Sequence, residues 1–117
     1  NLKTAHTKEN FLFFGAPVQM IFHLPKGAER GNFLDLGLFM QNVMLGLLAF
    51  GISSCPQYSM TSYSDTIREF LGLENRWIVC GMSVSYADPN ALVNTFIPPR
   101  LPLEAYTQWY ESSGKQV

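Results

Sequence analysis

From Val18 to Leu24 apolar and polar positions alternate, with Val18, Met20, Phe22 and Leu24 on one face and Gln19, Ile21 and His23 on the other. A period of two predicts a β-strand. Pro17 stands near its start, where a missing N–H donor is tolerated. Turn chemistry fills Pro25 to Asn32, and Asn32 is the expected N-cap of the next element. From Phe33 to Phe50 there is no proline and no alternation, and apolar side chains cover almost every direction of a helical wheel. That pattern predicts a helix buried on most sides. Asp35, Asn42, Gly46 and Ala49 share one stripe of it, along which another backbone can come close. Gly51 is the expected C-terminal stop.

The stretch "GISSCPQYSM", Gly51 to Met60, reads as a loop between two helices, stiffened by Pro56. A second, amphipathic helix follows: Ser62 or Ser64 caps it, Asp65 favours its first turn, Tyr63, Ile67, Phe70 and Leu71 form its apolar stripe, and Gly72 ends it. Alternation returns over Arg76 to Ala87, with Ile78, Cys80, Met82, Val84 and Tyr86 on one face and the smaller Val79, Gly81, Ser83 and Ser85 on the other. This fits a buried central strand. Asp88-Pro89 breaks it, "VNTFIPPR" is extended by Pro98 and Pro99, and Pro102 opens a short helix with Leu103, Tyr106 and Tyr110 on one side. Residues 1 to 10 are a polar lead-in. The order is α+β, and because two strands do not make a stable sheet, further strands are expected from other sequence.

Composition narrows the class. The 117 residues are one domain or part of one, and only 15% are charged, so much of the surface is expected to meet other protein. A formal charge of -1 with no cluster of Lys or Arg lacks the footprint of a nucleic-acid or anionic-membrane binder. The apolar run Phe33 to Phe50 contains Asp35, Gln41 and Asn42 and lacks basic flanks, so a buried helix is expected rather than a membrane span. Cys55 and Cys80 form no CxxC pair, and His6 and His23 are not at ligand spacing, which argues against a zinc site or a disulfide scaffold. Two reduced thiols in a cytoplasmic protein are expected. No signal peptide opens the chain, and a first residue other than Met suggests a piece of something longer.

No Ser-His-Asp order, HExxH, GxGxxG or P-loop is present. Asp65 and Glu69 lie four apart on a helix and read as a solvated face. His23 reads as structural more readily than as a general base. Cys55 lacks the nearby cation that would activate a thiolate. What remains is main chain and arginine: a Pro56-stiffened loop can hold backbone donors against a planar ligand, and Arg100, placed after two prolines, can present a bidentate fork to a phosphate.

Taken in order, "FFGAPVQMIF", "DLGLFMQNVMLGLLAFGISSCPQ", "IREFLGL", "WIVCGMSVSYAD" and "VNTFIPPRLPLEAY" resemble the C-terminal half of the FMN-dependent nitroreductase family. The match runs from about Phe13 to Tyr110, and Gly51-x-x-x-Cys55-Pro56-Gln57 after an apolar helix is its most specific part. The resemblance implies an α+β nitroreductase-like fold with antiparallel strands flanked by helices, working as an intertwined homodimer with FMN at the subunit interface. It implies two-electron, ping-pong transfer from NAD(P)H to nitroaromatics, quinones or similar small-molecule acceptors. It places Cys55, Pro56, Gln57, Tyr58 and Ser59 against the flavin ring, with a main-chain N–H from the later part of that segment on the ring's N5, and puts Arg100 on the FMN phosphate. The helix Phe33 to Phe50 falls at the dimer core. None of these residues is a catalytic side chain, because a flavin brings its own redox chemistry.

Two departures qualify the resemblance. The family's N-terminal half, with its Arg-x-Ser-x-Arg segment, is absent from these residues, so the chain is expected to be the C-terminal part of a single domain. Pro98-Pro99 also stands where a basic residue commonly precedes the matching Arg. The alternative function is a non-catalytic binding or dimerisation module without a complete flavin site, and an unrelated α+β domain is the third reading.

Overall fold

A computed structural model describes residues 8–110 and 112. The chain divides into two compact units, Asn1–Ala87 and Asp88–Val117. In the first, β1 (Val18–Pro25) leads to helix α1 (Arg30–Leu48), β2 (Ser53–Gln57), a 3-10 segment (Tyr58–Tyr63), helix α2 (Ser64–Leu71) and β3 (Arg76–Ser85). The three strands form an antiparallel sheet in the order β1-β3-β2, so the last strand in sequence is the middle one in space. The fold is the α+β architecture expected from the sequence.

The missing sheet partner was inside the chain. Residues Ser53–Gln57, expected to be a loop between helices, are a strand paired with Ser85 through Gly81. Neither Ser-Ser-Cys nor an internal proline favours a strand. An edge position tolerates both, because an edge strand needs only one bonded side. Pro56 sits opposite Met82 there.

Met82 is fully buried and forms the core with Phe22 and Val84. Burying a side chain of this size stabilises by about 1.5–3 kcal/mol. Against this face α1 lays Leu36, Met40, Val43, Met44 and Leu47, spaced by four, three, one and three positions, which keeps them on one side of a helix. The other side of α1 is open: Leu34, Leu38, Leu45 and Leu48 are 54–66% exposed, and no residue of the helix is buried. The burial on most sides expected for this helix is therefore not met within the chain, which covers one face only.

Local signals were displaced by a few residues. The N-cap of α1 is Glu29, and Asn32 acts three residues in, where its Oδ1 accepts the Glu29 N–H at 2.9 Å. Gly51 adopts φ +70° beyond α1, with its N–H on Leu48 O at 3.0 Å and Ile52 N–H on Leu47 O at 3.1 Å. That is the left-handed exit a glycine permits. Ser64 begins α2 rather than capping it, the preceding Tyr63 makes no side-chain cap, and Gly72 closes the helix as expected. Tyr86 lies past the end of β3 and is exposed, contrary to its expected place on the strand's buried face.

In the second unit, Leu92–Thr95 is a 3-10 turn, so extension begins only at Phe96. The helix expected after Pro102 is a single 3-10 turn, Leu103–Ala105, with Pro102 as its N-cap. Of the polar lead-in, positions 1–7 lie outside the described residues, and residues 8–11 are helical.

Candidate functional site

The segment Cys55–Ser59 joins the end of an edge strand to the start of a 3-10 turn. Its residues split by side. Cys55, Pro56 and Tyr58 are exposed, Tyr58 to 75%, while Gln57 between them is 2% exposed. The first N–H groups of a 3-10 turn have no carbonyl within the turn to bind, and among the described residues those of Tyr58 and Ser59 make no backbone bond to another element. The segment thus offers main-chain donors beside exposed side chains.

What holds it in place is buried amide chemistry. Gln57 Nε2 donates to Asn10 O at 2.8 Å and to Asn10 Oδ1 at 3.2 Å, and Gln57 Oε1 accepts from the Ser83 hydroxyl. Ser59 Oγ donates to Asn10 Oδ1 at 3.3 Å. Gln19 Oε1 lies 2.8 Å from Ser83 Oγ, so β1, β3 and β2 are tied together by side chains as well as by the ladder. Gly81, opposite Gln57 and Ile21, makes this closeness possible: a Cβ there would lie 2.5 Å from Gln19 Nε2 and 2.6 Å from Met60 Cγ. Beside it, Phe13, Ile21, Met60, Ile67, Phe70 and Leu71 line an apolar groove of about 330 Å³.

Both cysteines are free. Burial pushes the Cys55 thiol above its ordinary pKa. It does the same to Cys80, where a backbone hydrogen bond involving Gln57 opposes the shift and the nearby Cys55 adds to it. A raised pKa suits a thiol used for packing and opposes a nucleophile. Asp65 pairs with Arg68 on an open helix face, as a solvated carboxylate does. His23 follows a bulge at which Phe22 pairs with Cys80 and His23 with Ile78, and its Nδ1 is buried without a hydrogen-bond partner among the described residues. Among the described residues no group of three His, Cys, Asp or Glu could hold a metal, and no helix is long and apolar enough to cross a membrane.

Arg100 belongs to the second unit, in the extended stretch between its two 3-10 turns. It is exposed, and among the described residues no carboxylate pairs with it. Five of the six expected site residues are thus gathered in one segment, and the sixth lies in the other unit. Sequence reasoning missed Asn10, Gln19 and Ser83. The two strand residues carried a signal, since each is polar within an otherwise apolar alternation, but Asn10 carried none.

The nitroreductase family matches residues 2–86 of this chain. A 4-nitrobenzoate reductase of Pseudomonas putida is 44% identical over 101 residues, 86% of this chain and 44% of that protein. Nitroreductase NfnB of Mycolicibacterium smegmatis is 38% identical over 109 residues, 93% of this chain and 47% of the relative. The crystal structure of the FMN-dependent nitroreductase NfnB from Mycobacterium smegmatis in complex with NADPH superposes with a TM-score of 0.90 at 37% identity, over 94% of this chain and 50% of that one. The chain spans about half the length of the curated relatives it matches.

Proposed function

The chain belongs to the nitroreductase family, and from that premise we propose that it forms the C-terminal part of a single nitroreductase-like domain in an FMN-dependent NAD(P)H oxidoreductase. The observation that carries this reading is the build of Cys55–Ser59, a side-chain surface with free main-chain N–H groups whose buried side is fixed by Gln57. Such a segment fits a planar ring rich in acceptors. FMN, when bound, supplies the redox chemistry, taking two electrons from NAD(P)H and passing them in ping-pong order to a nitroaromatic, a quinone or a related acceptor.

The chain's own residues supply position and charge. Cys55 and Pro56 would lie against the ring, Tyr58 and Ser59 would offer N–H groups to its edge, and Arg100, with no competing carboxylate among the described residues, would take the phosphate. The leucine stripe of α1 supports a homodimer, since a row of half-exposed leucines is the face a second copy covers. Two free thiols accord with a reducing, cytoplasmic setting.

The test is made on the full-length protein that contains this chain. It is expected to purify yellow or to become so on adding FMN, and to oxidise NADPH with 4-nitrobenzoate as acceptor. A dimer that stays colourless and quenches no FMN fluorescence would support the non-catalytic module instead, for which the Pro98-Pro99 pair is the motivating feature.

A further inference from the structure

The hydrogen bonds behind Cys55–Ser59 are one proton short. Ser83 Oγ lies within reach of two amide oxygens, Gln19 Oε1 and Gln57 Oε1, and a hydroxyl has only one proton to donate. Gln19 Nε2 meanwhile is buried with no hydrogen-bond partner among the described residues. One residue removes the ambiguity. Asn10 O is a main-chain carbonyl, an acceptor only, so Gln57 must turn its NH₂ toward Asn10 and its oxygen toward Ser83. The Ser83 proton is then committed to Gln57. Gln19 must in turn act as donor to Ser83, which a half-turn of its amide achieves without moving a carbon atom. The group left over at the far side of Gln19 becomes a carbonyl rather than an N–H, the form that interiors leave unpaired more readily.

We propose that Ser83 is a positioning residue for the flavin-facing segment, the middle of a one-way chain of hydrogen bonds that runs from Gln19 through Ser83 and Gln57 to Asn10. Its place suits the task. Ser83 is on the central strand, opposite Gln19 on β1 and Cys55 on β2, and is itself 4% exposed. Because Gln57 is equally hidden, water does not replace a lost donor there, and an unpaired Gln57 oxygen releases the amide from Asn10. Gln57 immediately precedes Tyr58 and Ser59, so freeing its side chain loosens the N–H groups offered to the ring. The proposal rests on the reading of Cys55–Ser59 as an FMN contact, and it adds a residue that never touches the flavin.

The experiment compares wild type, Ser83→Ala, Ser83→Thr and Gln19→Glu in the full-length protein. Three quantities are read: the FMN dissociation constant, the midpoint potential of the bound flavin, and, in the flavin-free protein, hydrogen exchange of the Gln57 side-chain NH₂ that is bonded to Asn10. Ser83→Ala is expected to raise the FMN dissociation constant about tenfold, the scale of one buried hydrogen bond. It should also shift the potential and speed exchange of the Gln57 side-chain NH₂ while backbone exchange across β1 and β3 is unchanged. Ser83→Thr, which keeps the hydroxyl, stays near wild type. Gln19→Glu, an acceptor that competes for the Ser83 proton, behaves as Ser83→Ala does, and it carries the test should Ser83→Ala fail to fold. A folded Ser83→Ala with unchanged affinity and exchange overturns the proposal, as does a Ser83→Thr equally impaired or a Gln19→Glu identical to wild type. Wild-type protein that takes up no FMN defeats the functional reading instead, while the exchange measurement still reports on Ser83.

Discussion

Gly81→Ala tests the close approach on which the site depends. The new Cβ would sit 2.5 Å from Gln19 Nε2, 2.6 Å from Met60 Cγ and 3.2 Å from Met60 Cβ. Separations under 3.0 Å force movement, and Met60, only 6% exposed, meets the intruding carbon at the base of its side chain as well as farther out. Overpacking of this kind costs about 1–3 kcal/mol. Exchanging a strand glycine for alanine returns roughly 0.5–1 kcal/mol of chain entropy. Central values of about 2 and about 0.75 kcal/mol leave a net loss of roughly 1.3 kcal/mol, which at a urea dependence of about 2 kcal/mol/M lowers the unfolding midpoint by roughly 0.6 M. The assay is urea unfolding of the flavin-free full-length protein at one fixed concentration, so that association does not move the midpoint. Met60→Ala alone should cost about 2–5 kcal/mol, and combined with Gly81→Ala it should cost less than the sum of the two changes, since the 2.6 Å contact with Met60 Cγ is gone. A Gly81→Ala protein as stable as wild type, or a double variant that is simply additive, would refute the reasoning.

Three other outcomes follow from the same structure. Leu38→Glu, on the open stripe of α1, should weaken a dimer of the full-length protein by at least about a hundredfold, because two-fold symmetry doubles a loss of roughly 1.5–3 kcal/mol per leucine; an unchanged sedimentation profile at micromolar concentration rejects that interface. Arg100→Ala should weaken FMN binding by about 1.5–3 kcal/mol and leave riboflavin, which has no phosphate, unaffected; equal losses for both ligands take Arg100 off the phosphate. Cys55→Ala should keep flavin reduction near wild type, and a dead variant with FMN still bound contradicts the packing role. Because burial raises the Cys55 pKa, iodoacetamide should react slowly at neutral pH and faster only beyond the ordinary thiol range, above about pH 8.5. The folded state keeps this proton longer than the unfolded chain, so the thiol's contribution to stability falls as pH rises through that range.

β1 and β3 were legible because each alternates over seven or more positions against a hydrophobic face, and α1 because it has neither alternation nor proline. β2 was not. Its five residues include two serines and a proline, and they become a strand only because β3 supplies a ladder on one side and nothing is required on the other. Local propensity loses to a neighbour the sequence does not place nearby. The same holds for the anchor of the site: Gln57 and Asn10 are 47 positions apart, and their contact follows from the sheet order rather than from any motif. The exit of α1 was readable at Gly51, since a left-handed residue there needs glycine. Its entrance was misplaced because Asn32 bonds backward to Glu29 from inside the helix. The loop stiffened by Pro56 and Arg100 could each be singled out from the residues, but only the resemblance joined them on one ligand, and no spacing rule would have done so.

The strand order also bears on how the protein is made. β3 is the only strand that touches both others, and it is the last of the three to leave the ribosome. Until β3 emerges, β1 and β2 lack the strand each pairs with among the described residues, and the side of α1 that carries Leu36, Met40, Val43, Met44 and Leu47 lacks the face it packs against. Pairing of such sequence-distant strands is slow, and chains waiting for it are open to aggregation. A ribosome that stalls between residues 57 and 76 therefore holds a product with most of the apolar residues of the unit but without the strand that completes this sheet. Chaperone demand should peak over that stretch of translation.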